Sequence, residues 1–401
     1  MSFSSYEQVV IVQNNLISGV ASVDIGYQTQ TEPLYVAGMG YMDNFISGPT
    51  EGQMSLNRYM LGKDFIKDIK DDETVSGGVI LDNGQSVGFT RARLLNYTVS
   101  CNIGQIPEIK NTFKVYGNLG GGVSPITRWS PKKTDYAVDD FVSMSVKNDG
   151  FAQDLIYKCI QERIVEEPGA VDPSDVWELV SSDSVQAARI VKDSLAQANQ
   201  IKDREYVIPT QGSIRIKFKG TKTQNTTYTL SEFPGYNAVL GFNYSRGLDL
   251  DSLYALRDEQ LKGTPLTDYE AIDIQIIYPI KSTFDFTVAL DNYRLSDMRA
   301  FLDYANWDKG RVEQDIDIEM YDPQDLHADP IMTYSVQRAK LLSENITSQT
   351  GDETVLNISF EGYERDQLMN EPWYLNYSDL LPDNDQDISQ GREAKIDRVE
   401  T

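Results

Sequence analysis

The residues able to do acid–base, nucleophilic or metal chemistry are either solitary or scattered. The one histidine, His327, stands in Asp325-Leu326-His327-Ala328-Asp329, a stretch that reads as a loop. A Ser–His or Cys–His pair would have to be built on it alone, and no His/Cys ligand spacing accompanies it. Cys101 and Cys159 belong to different parts of the chain and to no CxxC pair, so reduced, partly buried thiols are expected instead of a disulfide framework. Asp71-Asp72 and Glu166-Glu167 are two of many carboxylate neighbours among 61 Asp and Glu, so adjacency in sequence does not mark a glycosidase acid and base. Asp383-Asn384-Asp385-Gln386-Asp387 opens like a calcium loop, but Ile388 stands where glycine is required and Ala394 where the bidentate glutamate should be. It reads as part of an acidic tail. Gly117-Asn118-Leu119-Gly120-Gly121-Gly122 lacks the Lys-Ser/Thr of a phosphate loop and leads into no helix, so it reads as a flexible linker. No catalytic, cofactor or metal site is expected, and an enzyme acting on polysaccharide is kept in view only because carboxylates are plentiful.

The formal charge of −25 argues against a broad nucleic-acid footprint, because phosphate contacts need clustered Lys and Arg. Such a balance serves solubility, and it would also suit a conduit through which DNA must slide without sticking. The start, Met1-Ser2-Phe3, carries no basic-then-apolar leader, and no apolar run nears the ~20 residues that span a bilayer. Synthesis in a cytosol and no membrane insertion are expected.

With 401 residues, two to three domains are expected, and 40% hydrophobic content builds real cores. Tyr, Val, Ile and Thr recur in short alternating runs, which favours strands. One stretch occurs twice. Shifted by 247 residues, Arg91-Ala92-Arg93-Leu94-Leu95 falls on Arg338-Ala339-Lys340-Leu341-Leu342, Phe113 on Phe360 and Tyr116 on Tyr363. Leu56, Tyr59 and Leu61 fall on Leu290, Tyr293 and Leu295 at a shift of 234, and Val20–Tyr27 falls on Asn237–Tyr244 at a shift of 217. Two copies at so long a period mean tandem domains, not a solenoid.

In the first copy, strands are expected at 16–27, 54–61, 89–101 and 109–116, with a hairpin turn at Asp82-Asn83-Gly84 and a short helix over 62–69. In the second they are expected at 214–218, 239–244, 272–277, 284–290, 316–320, 331–336 and 356–363, with a short helix from Ser296 to Leu302. The segment 38–53, with Met39, Tyr41, Met42 and Phe45, reads as a loop too apolar to be idle, and its expected role is contact between stacked copies. Between the copies lies an aromatic module of short strands around Trp129 and Trp177, then a helix over 184–202. The expected division is 1–122, 123–182 for the module, 183–207 for the linking helix, 208–370, and an acidic tail over 371–401.

The duplicated plan resembles that of bacteriophage tail tube (major tail) proteins. The matching pieces are 16–27, the 38–53 loop, 54–69 and 89–116, with their second-half counterparts. The resemblance implies a mainly β fold, with two tandem β-sandwich or barrel tail-tube-like domains, each with a short helix. It also implies self-assembly into stacked rings of three or six copies, alongside other tail proteins, around a lumen through which DNA passes unbound. The module is similar to small chitin-binding-type carbohydrate-binding modules in Trp129, Tyr136, Asp140-Phe141-Val142, Tyr157-Lys158-Cys159-Ile160-Gln161 and Pro173…Trp177. That likeness makes Trp129, Tyr136, Tyr157 and Trp177 the candidate contacts to a surface glycan. The family's sugar-stacking Trp precedes the Pro by two residues, where this chain has Val171, so an exterior decoration is expected ahead of a working sugar binder. The alternative is a baseplate or fibre-type adhesion protein with the module as its active part.

Overall fold

In the first copy, alternating apolar and polar residues form β1 (Val9–Val12), β2 (Asn15–Ile17), β3 (Val20–Tyr35), β4 (Met42–Tyr59), β5 (Val75–Ile80), β6 (Ser86–Asn102), β7 (Glu108–Val115) and β8 (Leu119–Gly121). The module adds β9 (Phe141–Asn148), β10 (Phe151–Cys159) and β11 (Trp177–Ser181), followed by helix α1 (Ser184–Ala198). The second copy has β12 (Ile214–Gly220), β13 (Ser231–Glu232), β14 (Val239–Tyr254), β15 (Ala271–Ala289), β16 (Gln314–Met320), β17 (Met332–Thr347) and β18 (Val355–Glu364). This computed structural model describes residues 8–35, 42–61, 64–129, 136–148, 151–160, 176–198, 206–220, 231–232, 239–254, 271–289, 314–348 and 354–364.

The protein is mainly β and sandwich-like, and the duplication is visible in its pairing. The first copy pairs in the order β2-β1-β5-β6-β7-β4-β3 and the second in the order β13-β12-β16-β17-β18-β15-β14, each neighbour antiparallel. Even the irregularities repeat. A bulge at Leu95 separates Leu94↔Phe113 from Asn96↔Thr112, and one at Leu342 separates Leu341↔Phe360 from Ser343↔Ser359, so the offset of 247 holds (341 − 94 = 360 − 113 = 247).

The other two offsets are corrected. Met54 and Phe284 pair with Phe113 and Phe360, giving 284 − 54 = 230 in place of 234. Ile25 and Tyr244 pair with Met54 and Phe284, giving 244 − 25 = 219 in place of 217. Both errors are even, because strand side chains alternate with period two and a slip of two keeps every residue on its face.

Four local expectations also change. Residues 42–53 are not a loop but the first part of β4, paired along β3 with Tyr35↔Met42 and Pro33↔Phe45. Part of the glycine-rich linker is β8, whose Leu119 pairs with Phe89. The expected strands 272–277 and 284–290 are one continuous strand, β15. The helix over 62–69 shrinks to a 3-10 turn at Phe65–Asp68, where Asp64 caps the amide of Ile66. Met39, Tyr41, the helix at 296–302 and the tail lie outside the described residues.

The first half of β6 pairs with β5 while its second half pairs with β7 and, on the side away from β7, with β14. The two layers so formed enclose one core, to which both copies contribute Phe89, Phe113, Phe242, Phe284 and Tyr334. The copies are therefore fused, not beads on a linker. A buried ion pair braces the first: Arg58 bonds Asp64, Asp64 also accepts from Tyr97 Oη at 2.7 Å, and Arg58 Nε donates to Asn111 at 3.0 Å.

Candidate assembly interface

The strand pairing that joins the two copies is the most informative local geometry in the chain. Residues Gly241–Gly247 of β14 run antiparallel to Asn96–Asn102 of β6, with Phe242 opposite Cys101, Tyr244 opposite Val99 and Arg246 opposite Tyr97. Alternate side chains enter the core: Phe242, Tyr244, Val99 and Cys101 are each at most 6% exposed. Each such burial contributes roughly 1.5–3 kcal/mol. Gly241 is required where β14 meets β6, because a Cβ there would lie 2.7 Å from the Cys101 carbonyl oxygen. The Cys101 thiol lies 3.8 Å from Met320 Sδ of the second copy, and burial pushes its pKa up to about 12. Both cysteines are buried, and neither is in a disulfide.

Arg246 closes the junction. Its Nη1 and Nη2 hold Asp71 of the first copy at 2.6 and 2.7 Å, while Nε and Nη2 hold Glu364 of the second at 3.1 and 2.7 Å. Burial pulls the guanidinium pKa down, but the hydrogen bonds it donates to Asp71 and Glu364 outweigh it and leave the pKa raised. Asp71, read above only as one of many carboxylates, is thus a structural anion.

The junction makes a continuous sheet of eight strands in the order β17-β18-β15-β14-β6-β7-β4-β3. One face packs into the core. The other carries small polar residues, among them Gln53, Ser55, Thr98, Ser100, Asn243 and Thr283, all at least partly exposed. Charges on this face include Lys114 held by Glu51 at 3.1 Å and Lys281 held by Glu361 at 2.7 Å. Depressions of about 460 and 270 Å3 open on it, lined mostly by such polar side chains.

The module lies on the opposite side of the molecule. In β1 and β5, Val10, Val12 and Val79 face the main core, whereas Ile11 and Ile80 point outward into a second cluster with Ile126, Phe141, Ile156 and Val191 of the module and α1. Asn14 ties it down, donating to the Phe141 carbonyl at 2.7 Å and accepting from the Thr127 amide at 2.9 Å.

No protein-family model matches the chain. No curated protein matches it either.

Inside the module Tyr136, Tyr157 and Trp177 are 4%, 8% and 7% exposed and form its core with Cys159 and Val142, while Trp129 packs against them. The rings of Tyr136 and Trp177 meet edge to face at 5.1 Å. Rings so covered present no face on which a sugar could stack, so three of the four expected glycan contacts are structural in this geometry. His327 is exposed in a turn, its amide bonded to Asp325. Among the described residues no three His, Cys, Asp or Glu cluster as metal ligands, and no helix is long and apolar enough to cross a membrane. The residues that make the junction, Arg246 above all, carry no motif, since one arginine in a strand has no spacing to mark it.

Proposed function

We propose that the chain is a structural virion protein: a tail tube subunit that self-assembles into stacked rings forming a hollow conduit for genome delivery, with the module as an exterior decoration. The observation that carries this reading is the β6–β14 junction, which joins two like units edge to edge into one sheet with a polar outer face. A unit able to pair with its own duplicate can pair with another copy, and repetition of such a step builds a ring. The polar face would then line the lumen. Hydroxyls and amides there, with lysines drawn to neighbouring carboxylates, give passing phosphates little to hold. The module's position behind β1 and β5, on the far side of the core, fits an outward ornament.

Negative-stain electron microscopy of the purified chain over a range of concentrations tests this. Hollow rings or tubes are expected; dispersed particles without a central hole at every concentration would overturn the reading.

A further inference from the structure

Building on that self-assembling reading, the geometry points to the contact itself: β3 of one copy adds to β17 of the next, in the register that β14 makes with β6 inside each chain. The duplication makes β3 the counterpart of β14, and β17 the counterpart of β6. In the first copy the edge of β6 facing away from β7 is filled by β14. The same edge of β17, and the outer edge of β3, pair with no strand among the described residues. These two edges end the eight-strand sheet, so a chain does not satisfy both by itself.

The offsets of 219 and 247 carry the internal register across. Tyr244↔Val99 becomes Ile25↔Ile346 (244 − 219 = 25, 99 + 247 = 346). By the same shifts Asn243↔Ser100 becomes Asp24↔Thr347, and Ser245↔Thr98 becomes Gly26↔Asn345. Every residue keeps its face: Ile25 and Ile346 continue the core side, and Asp24, Gly26, Asn345 and Thr347 continue the polar side. Since Ser22 stands where Gly241 is needed for close approach, the ladder begins at Val23.

Exposure shows which edge is unfinished. Val99 is 2% exposed beneath β14, whereas its counterpart Ile346 is 61% exposed. Tyr27, the counterpart of Arg246, is 71% exposed at the opposite edge. Open strand edges carrying apolar side chains invite a further strand. The occupant that matches this edge in length, register and alternation is a second copy's β3. Because the contact is head-to-tail, it repeats until it closes.

Oxidative cross-linking of full-length chains tests it. Gly26→Cys chains mixed with Asn345→Cys chains should link into covalent dimers, and a chain carrying both substitutions should give a ladder ending at the ring number. Ser343→Cys, one pleat out of register, should link to Gly26→Cys more slowly than Asn345→Cys does. Ile346→Asp should abolish higher oligomers while the thermal midpoint of the monomer stays unchanged. Rings by microscopy without the in-register link, a link confined within one chain, or rings that survive Ile346→Asp would each overturn this contact and leave the assembly reading standing. Monomers at all concentrations with no link would overturn both.

Discussion

Arg246 of the second copy grips Asp71 of the first through two parallel hydrogen bonds of 2.6 and 2.7 Å, with Glu364 on the guanidinium's other side. This three-residue cluster lies beside the strand pairing that makes two units one sheet. Truncating Arg246 leaves two carboxylates close together without their cation. Arg246→Ala should cost about 2–4 kcal/mol, below the loss at a fully buried pair because all three groups keep some contact with water. Arg246→Lys should recover part of that, since an ammonium supplies the charge without the planar fork. Urea unfolding of the dissociated protein reads both, and equal midpoints for the Ala variant and the parent would show the cluster to be ornamental.

A second bracing point is Asp64, which receives bonds from Arg58, Tyr97 Oη and the Ile66 amide in a site where its side chain is 1% exposed. Asp64→Asn nearly preserves shape but leaves the buried Arg58 guanidinium without its counter-ion. A loss of about 3 kcal/mol is expected in the same unfolding experiment. An unchanged midpoint would mean that Arg58 finds water or another anion.

Much of this architecture could be read in the sequence because the duplication preserved chemistry at the closing strands. Arg91–Leu95 and Arg338–Leu342 share a bulge, and a bulge tolerates no slip, so that offset was legible to the residue. The flanking strands were legible only in phase. Ile25 aligns with Tyr244 and Met54 with Phe284, yet alternation alone scores a slip of two or four residues as equally good. Met42–Gln53 read as a loop because Gly48, Pro49 and Gly52 interrupt its pattern, whereas pairing with β3 supplies the hydrogen bonds that make it strand. The junction itself was invisible, since which strand edges meet depends on the three-dimensional closure of two layers. The module's aromatics were legible as core or as contact surface, and burial decides between these.

The tyrosines at the junction predict an alkaline transition. Tyr97, Tyr244 and Tyr334 cluster with ring centroids 5.2 to 6.5 Å apart. Burial raises the pKa of all three, that of Tyr244 to about 12 from 10.0. A folded-state pKa above the unfolded value means the stabilisation is whole below pH 10 and is lost as pH climbs from 10 through about 12. Each such group steepens the fall by about 1.4 kcal/mol per pH unit across that window. Thermal midpoints measured from pH 8 upward should hold to about pH 10 and then drop. Tyr244→Phe should flatten the drop, and a flat profile in the parent would contradict the buried phenols.

Trp177 separates the two readings of the module most cleanly. It is 7% exposed, its ring meets Tyr136 edge to face, and the surrounding cluster is small, so nothing else can fill the space it leaves. Trp177→Ala should cost about 3–5 kcal/mol, enough to unfold a unit of a few short strands. Limited proteolysis should then cut within the module while the cores of the two copies stay protected and rings still form, because the module lies behind β1 and β5, away from both open sheet edges. A Trp177→Ala chain that resists protease but loses retention on a chitin column held by the parent would reverse this assignment. Its indole would then serve a ligand, and the covered ring would have to swing outward to meet it.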